Sequence, residues 1–353
     1  MCRLIFVLLL VVMVNCSALA QPKKSEVQPD QIAFGTVYTG GIVEASFMVL
    51  EPGKDPKIEF TVTAPKFVKV LNKSTHHQEF GARGDFICGS VWVAIDTSAS
   101  GEFMDVVVVT LGQSTVKVPV SATVKAPRPE LTRLLVANTP FTRYSTNDGT
   151  IFKEWTDLVN RSPLDASYLA VERGKPVLRD LDLDKFDTIL LGCEGICEVT
   201  PEDIKKVRAF AESGGRVIVA ANHFFHDTIT PANKVLDGYG LQIRNEEANG
   251  KGNDVRLEKE EFSPDLVKAG VKSLHFFRAS PIGITDARGR VVVKAVEVGQ
   301  KNDGFVAIGR AGEGSVAAIG ESLWWSWISA KQAGDTDNAK LLRWLIVPRK
   351  RDL

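Results

Sequence analysis

The chain has 353 residues, of which 44% are hydrophobic and 24% are charged, and this ordinary composition excludes a disordered chain and a coiled coil. Lys plus Arg and Asp plus Glu both number 43, so the chain lacks the basic field that attracts nucleic acid, and we expect no nucleic-acid partner. The length is sufficient for two hydrophobic cores.

Residues 1–20 have the pattern of a secretory signal peptide. Arg3 supplies a positive charge, an apolar run follows, and Ala18 and Ala20 provide the small residues of a cleavage site. We expect cleavage near Ala20 and export to the periplasm or the extracellular space. The apolar run is too short to span a bilayer and no later run is long enough, so we expect no transmembrane anchor in the mature chain.

The cysteines raise two questions, lipid attachment at Cys16 and disulfide pairing in the mature chain. Cys16 lies behind the apolar run and is an alternative site of lipid attachment, but Asn15 before it fits a lipoprotein signal poorly, and we expect no anchor there. Cleavage after Ala20 leaves Cys88, Cys193 and Cys197. Cys193 and Cys197 are close enough to pair, or are two small buried side chains, and the sequence does not decide their redox state.

Short β-rich runs separated by turn residues fill residues 26–126. Several runs alternate apolar and polar side chains, and none has a helical period, which predicts an all-β, immunoglobulin-like sandwich. His76 and His77 are assigned to a polar loop, without the further ligands that a metal needs. The predicted strands are residues 42–50, 57–63, 91–95, 104–111 and 115–124.

A set of turn glycines and apolar residues in this domain follows a recognisable order. The set is Phe34-Gly35-Thr36-Val37, Gly40-Gly41, Ala45-Ser46-Phe47, Asp96-Thr97, Gly101 and Val118-Pro119-Val120. In this order the domain resembles the hydin-like immunoglobulin-type domains of bacterial exported proteins. The resemblance implies the fold and no ligand.

Residues 127–130, with two prolines in three positions, predict a stiff linker to a second domain at residues 131–347. That domain alternates strands and helices with short connections, which predicts a mostly parallel sheet covered by helices, a flavodoxin- or amidotransferase-like α/β fold. The predicted strands are residues 131–137, 188–191, 216–221, 290–298, 304–309 and 315–319, and the helices are residues 151–160, 201–213 and 338–346. A basic tail follows at residues 348–353.

The helix that begins at Pro201 carries the clearest start signal. Thr200 is predicted as its N-cap, Pro201 as its first residue and Asp203 as an acid in the first turn, and Gly214-Gly215 ends it.

Motifs of this second domain are shared with a known superfamily. They are Phe186-Asp187-Thr188-Ile189-Leu190-Leu191, Thr200-Pro201-Glu202, the run of residues 210–219, the run of residues 312–320, and Asn338-Ala339-Lys340-Leu341-Leu342. In these motifs the domain resembles the class I glutamine-amidotransferase-like superfamily, in its trehalose-utilisation-protein-like and gliding-type transport-protein-like branches. The resemblance implies a nucleophilic cysteine on the turn after the strand at 216–221.

The sequence departs from the superfamily at that turn. It reads Ala220-Ala221-Asn222-His223, without a cysteine or serine, and Cys193 follows the preceding strand instead. We therefore assign no catalytic residue and expect neither amidotransferase nor protease chemistry. We also expect Cys193→Ser to leave any function intact.

The carboxyl ends of parallel strands remain the place where a ligand would bind. The candidate pocket contains Asn138, Cys193, Glu194, Asn222, His223, Glu321, Ser322 and Trp324. A metal site of His223, His226 and Asp227 is an alternative, but adjacent residues 226 and 227 would point apart, and we assign no metal and no cofactor.

These features favour an exported, non-catalytic binding or scaffold protein with a degenerate amidotransferase-like domain and a protein or carbohydrate partner in the cell envelope. One alternative is a carbohydrate-acting enzyme of the trehalose-utilisation-like branch, with Glu321 and His223 as acid and base. Another is a subunit of a cell-envelope assembly.

Overall fold

The computed structural model describes residues 25–81, 84–137, 158–172, 174–222, 228–248, 254–321 and 337–347, without the side chains of Cys193, Glu194 and Asp254. Within these ranges most residues in regular structure belong to strands, in both halves of the chain. The predicted sites at Asn138, His223, His226, Asp227, Ser322 and Trp324 lie outside the described residues.

The described N-terminal half contains eight strands. They are β1 (Glu26–Gln28), β2 (Ile32–Tyr38), β3 (Glu44–Pro52), β4 (Phe60–Thr63), β5 (Val68–Glu79), β6 (Asp85–Ile95), β7 (Gly101–Leu111) and β8 (Ser114–Lys125). Among the described residues they form two four-stranded sheets, in the orders β1-β3-β6-β5 and β2-β8-β7-β4. Phe47 of the first sheet and Val118 of the second belong to one cluster of buried apolar side chains.

The histidine pair lies in a strand, so its assignment to a polar loop is wrong. Both residues belong to β5, with His76 opposite Cys88 and His77 opposite Ile87 of β6. The imidazole of His77 is hydrogen-bonded to Asp85 at 2.8 Å. β5 is at the edge of its sheet, where a strand needs few apolar residues, and its polar sequence therefore looked like a loop.

The described C-terminal half contains eleven strands and five α-helices with described bounds, and residues 158–161 are also helical. The strands are β9 (Thr132–Ala137), β10 (Leu164–Leu169), β11 (Thr188–Gly192), β12 (Arg216–Ala220), β13 (Leu241–Ile243), β14 (Asp254–Glu258), β15 (Ser273–Phe277), β16 (Ile282–Ile284), β17 (Gly289–Lys294), β18 (Gly304–Ala311) and β19 (Gly314–Ile319). The helices are α1 (Cys193–Cys197), α2 (Pro201–Glu212), α3 (Ile229–Leu236), α4 (Pro264–Lys268) and α5 (Asn338–Ile346), and 3₁₀ turns lie at Leu183–Lys185 and Lys259–Glu261.

The large sheet of this half is mixed, and the predicted fold class is wrong. In the described part of the chain its order is β10-β9-β11-β12-β19-β18-β16-β13, with β17 also on β18, and β14 pairs with β15 separately. Pairings from β10 to β19 are parallel, whereas those of β18 with β19, β17 and β16, and of β16 with β13, are antiparallel. The protein is thus mostly β, with mixed sheets, rather than an Ig-like sandwich followed by an α/β domain with a mostly parallel sheet.

A short turn explains the reversed direction. β18 and β19 are joined by Gly312 and Glu313, with Ala311 opposite Gly314. A parallel crossover needs a dozen residues or more, so this connection only permits an antiparallel hairpin. Gly312 has a φ of 55°, a left-handed conformation that glycine adopts without strain.

The two best-marked helices were predicted correctly. α2 has Thr200 as its N-cap and Pro201 at its start, and the side chains and backbones of Thr200 and Asp203 form a reciprocal capping box. α5 covers the predicted residues Asn338–Ile346. Within the described ranges, no helix is long and apolar enough to cross a membrane.

The two halves of the chain are joined at β10. Val43 and Tyr168 form an isolated parallel bridge, and the Tyr168 N–H donates to the carbonyl of Ile42 at 2.7 Å. The buried carboxylate of Glu44 lies beside this bridge and accepts a hydrogen bond from Arg179 Nη1 at 3.0 Å. Backbone pairing and a partly buried ion pair therefore fix the first half against the edge of the large sheet.

Candidate functional site at the strand ends

The ends of β12 and β19 meet at the edge where the sequence predicts a pocket. The two strands are parallel neighbours, with Ala220 opposite Ile319. The Ala221 N–H donates to the Ile319 carbonyl at 3.1 Å, so the pairing continues one residue beyond the end of β12. Asn222 and Glu321, which follow at once, are therefore brought to the same edge although about a hundred residues separate them in sequence.

A segment at the end of β15, residues 277–280, crosses this edge, and we call it the crossing segment. The Ser280 N–H donates to the Gly320 carbonyl at 2.7 Å, and a Cβ on Gly320 would overlap the Ser280 carbonyl oxygen. Only a glycine permits this approach of two backbones. The segment therefore covers the end of β19.

Two candidate side chains bind adjacent residues of the crossing segment. Glu321 Oε2 accepts a hydrogen bond from the Phe277 N–H at 2.9 Å. Asn222 Nδ2 donates to the Arg278 carbonyl at 3.3 Å. Both side chains are only 1% exposed, so they connect the loops after β12 and β19 to one dipeptide.

Asn222 is fixed at its backbone as well. Its N–H donates to Thr228 Oγ1 at 3.3 Å, and the Thr228 hydroxyl donates to the Asn222 carbonyl at 2.7 Å. Among the described residues, Asn222 Oδ1 is buried without a hydrogen-bond partner. A buried acceptor of this kind is costly unless a donor satisfies it.

The base of the crossing segment is held by α5. Asn338 Oδ1 accepts from the His275 N–H at 2.9 Å, and Asn338 Nδ2 donates to the His275 carbonyl at 2.6 Å. The Lys272 N–H donates to Asp337 Oδ2 at 2.7 Å. Buried side chains therefore hold the segment at both ends.

Arg278 lies where the segment turns. It has a φ of 53°, which is unusual for a residue with a side chain. Its guanidinium forms a two-point ion pair with Glu247, in which Nη2 is 3.0 Å from Oε2. Hydrogen bonding to Glu247 raises the pKa of Arg278 above its ordinary value, so this pair stays charged.

Neither Cys193 nor Cys88 follows β12, which is where the resemblance to the amidotransferase-like superfamily implies a nucleophile. Cys193 begins α1, directly after β11, whereas Ala221 and Asn222 follow β12. Burial raises the pKa of the Cys88 thiol to about 11, so Cys88 stays protonated and is a poor nucleophile near neutral pH.

Of the candidate pocket, the described residues thus bring together Asn222 and Glu321. Cys193 and Glu194 have described backbones in α1, and the other members lie outside the described ranges. Sequence patterns missed Phe277 and Arg278, which contribute backbone groups that no side-chain motif marks. In the part of the chain described, no three His, Cys, Asp or Glu residues are grouped as a metal site.

A concave surface that the sequence did not indicate lies on β17, β18 and the turn before β17. It has a volume of about 650 Å³, within the range of small-molecule sites. Its lining residues are Asp286, Ala287, Arg288, Gly289, Arg290, Ile308 and Arg310. We call it the arginine pocket.

No family model and no curated protein matches the chain. Solved structures with partial likeness include a β-galactosidase from Bacillus circulans sp. alkalophilus (13% identity, TM-score 0.37, covering 62% of this chain and 30% of that one). The exo-β-1,4-mannosidase Op5Man5 from Opitutaceae bacterium strain TAV5 has 13% identity and a TM-score of 0.38, covering 62% of this chain and 36% of that one. The cytoplasmic protein STM1381 from Salmonella typhimurium LT2 has 10% identity and a TM-score of 0.41, covering 70% of this chain and 95% of that one. The chain thus spans about a third of the length of the two glycosidases. Structural similarity at these TM-scores does not support any function for this chain.

Proposed function

We propose that the protein is an exported binding or scaffold protein, in which the strand-end edge is structural rather than catalytic. The observation that supports this most directly is the binding of Glu321 and Asn222 to adjacent backbone groups of Phe277 and Arg278. The pattern of residues 1–20 supports export. A protein or carbohydrate of the cell envelope is the proposed partner.

The state of Glu321 favours this function over a glycosidase. A general acid must reach the oxygen of a bound substrate, but Glu321 is 1% exposed and its Oε2 already accepts the Phe277 N–H. Removing this acceptor would leave a partly buried N–H unsatisfied, at a cost of up to about 1–3 kcal/mol. Glu321 therefore has a structural task that any catalytic role would disturb.

The experiment compares Glu321→Ala and Asn222→Ala with Glu102→Gln, a change at an exposed position of β7. We expect both alanine variants to lower the free energy of unfolding in urea, and the control to leave it unchanged. Because both side chains fasten one dipeptide, the double variant should lose less than the sum of the single losses.

The same proteins are assayed against chromogenic α- and β-glycosides, with Glu321→Gln added. We expect no hydrolysis that depends on Glu321. Hydrolysis by the wild type that Glu321→Gln abolishes, at unchanged stability, would instead establish the carbohydrate-acting enzyme.

A further inference from the structure

The arginine pocket gathers positive charge on one face of a strand pair. Gly289 is opposite Gly309, and Arg290 is opposite Ile308. The Arg310 N–H donates to the Arg288 carbonyl at 3.0 Å, which extends the same register. Directly opposite residues share a face, so Arg288, Arg290 and Arg310 lie on the side that lines the pocket.

The other face of this strand pair explains why glycines lie between the arginines. A Cβ on Gly309 would overlap the Tyr239 carbonyl oxygen, and one on Gly289 would overlap that of Gly240. Thr285 also donates its N–H to the Gly240 carbonyl at 3.0 Å. The inner face is therefore packed against the Tyr239–Gly240 backbone, and the arginines are held outward.

Arg288 is oriented before any ligand arrives. Its Nε and Nη2 donate to Asp286 Oδ1 and Oδ2 at 3.0 and 2.6 Å, while the Arg288 N–H also donates to Asp286 Oδ1 at 2.9 Å. Hydrogen bonding to Arg288 lowers the pKa of Asp286 to about 2, so the pair is charged at any physiological pH.

The lining carries more positive than negative charge. Three guanidinium groups face one carboxylate, Asp286, which leaves an excess of two positive charges. Outside the lining, Asp265 lies 3.9 Å from Arg290, and Asp237 acts on Arg288 through space. No ion pair of Arg310 occurs within the described part of the chain.

The pairing of Arg288 with Arg310 is unfavourable for folding to the extent that Asp286 leaves the charge of Arg288 uncompensated. Like charges directly opposite each other in a sheet destabilise it, and both side chains are exposed. A bound dianion would reverse that repulsion, since guanidinium groups bind the oxygens of phosphate or sulfate at two points.

We propose that the arginine pocket binds a small molecule that bears a phosphate or sulfate monoester. Arg310 and Arg288 hold the dianionic group, and Ile308 and Ala287 contact the organic part. The proposal does not rest on the function given above, because it concerns a different surface and holds equally in an enzyme.

The test titrates the mature full chain, at low ionic strength, with glucose 6-phosphate, glucose 6-sulfate, inorganic phosphate and glucose in a calorimeter. We expect saturable binding of at least one monoester, weaker binding of inorganic phosphate and none of glucose. Binding by only one ester identifies which tetrahedral group is accepted.

Arg310→Gln should weaken binding of the ester about tenfold, the loss of one charge-assisted contact, without lowering the urea midpoint. Arg256→Gln, at an exposed position of β14, is the matched control and should bind as the wild type does. The proposal is overturned if no ester binds, if glucose binds as tightly as its esters, or if both variants weaken binding equally.

Discussion

Replacement of Glu44 tests how the two halves of the chain are held together. Its side chain, on β3, is only 10% exposed, and Oε1 is 3.0 Å from Nη1 of Arg179. Oε2 accepts the N–H of Ala170 at 3.1 Å. Glu44→Ala removes the acceptor from a backbone donor and the partner from a guanidinium, whereas Glu44→Gln keeps one side-chain oxygen.

The expected loss follows from these contacts. Removing one partner of a fully buried ion pair lowers the free energy of unfolding by about 3–5 kcal/mol. Arg179 is 36% exposed, so water can hydrate its guanidinium after the substitution, and much of that loss disappears. The unsatisfied N–H of Ala170 contributes about 1–3 kcal/mol. We expect Glu44→Ala to lower the free energy of unfolding by about 2 kcal/mol, and Glu44→Gln by about 1 kcal/mol or less.

The pH dependence separates the charge of Glu44 from its hydrogen bonds. Burial raises the pKa of Glu44 above 4.5, and Arg179 opposes the rise without cancelling it. A carboxyl with a raised folded-state pKa stabilises the fold fully below its unfolded pKa, and this contribution is lost as pH rises through the folded pKa. The advantage of wild type over Glu44→Gln should therefore be largest below pH 4.5 and shrink above it.

The assay is urea unfolding of the three proteins at a series of pH values, with Glu102→Gln as an exposed control. The difference in the free energy of unfolding between wild type and variant cancels the contribution of the other carboxylates, because their titration is common to both proteins. The reasoning is refuted if Glu44→Gln is as damaging as Glu44→Ala near neutral pH, or if its difference from wild type does not change with pH.

Two further substitutions test local structure. Thr200→Ala removes the hydroxyl that accepts the Asp203 N–H and should lower the unfolding free energy by about 1 kcal/mol in urea; an unchanged midpoint would contradict the capping role. Gly320→Ala would force a Cβ onto the Ser280 carbonyl oxygen and should lower the thermal midpoint, whereas Gly101→Ala, which meets only the ring of Phe103 at 3.3 Å, should have little effect. Equal midpoints for the two glycine variants would show that the crossing segment is not packed as described.

Elements whose signals lie within a few residues were predictable from the sequence. The cap at Thr200 and the apolar period of residues 338–346 gave α2 and α5, because side chains one turn apart decide both. Strand direction was not predicted, although the two-residue connection of β18 and β19 already excluded a parallel pairing. β5 was missed because an edge strand can be polar.

The candidate site was predictable only where it depends on strand order. Asn222 and Glu321 were placed at one edge by assuming that β12 and β19 are neighbours, and they are. Their partners, Phe277 and Arg278, come from a segment whose position depends on tertiary packing, which no local pattern encodes. The arginine pocket depends in the same way on a register between residues about twenty positions apart.

The strand-end edge and the arginine pocket differ in whether their polar groups already have hydrogen-bond or ion-pair partners. At the strand ends, Glu321 and Asn222 are buried and already hydrogen-bonded to backbone, so a ligand could use Glu321 Oε2 and Asn222 Nδ2 only by displacing the segment they hold. At the arginine pocket, Arg288 and Arg310 are exposed, and Arg310 forms no ion pair within the described residues, so an added anion could bind it without breaking an existing contact. We therefore expect ligand binding at the arginine pocket and expect the strand-end groups to stabilise the fold.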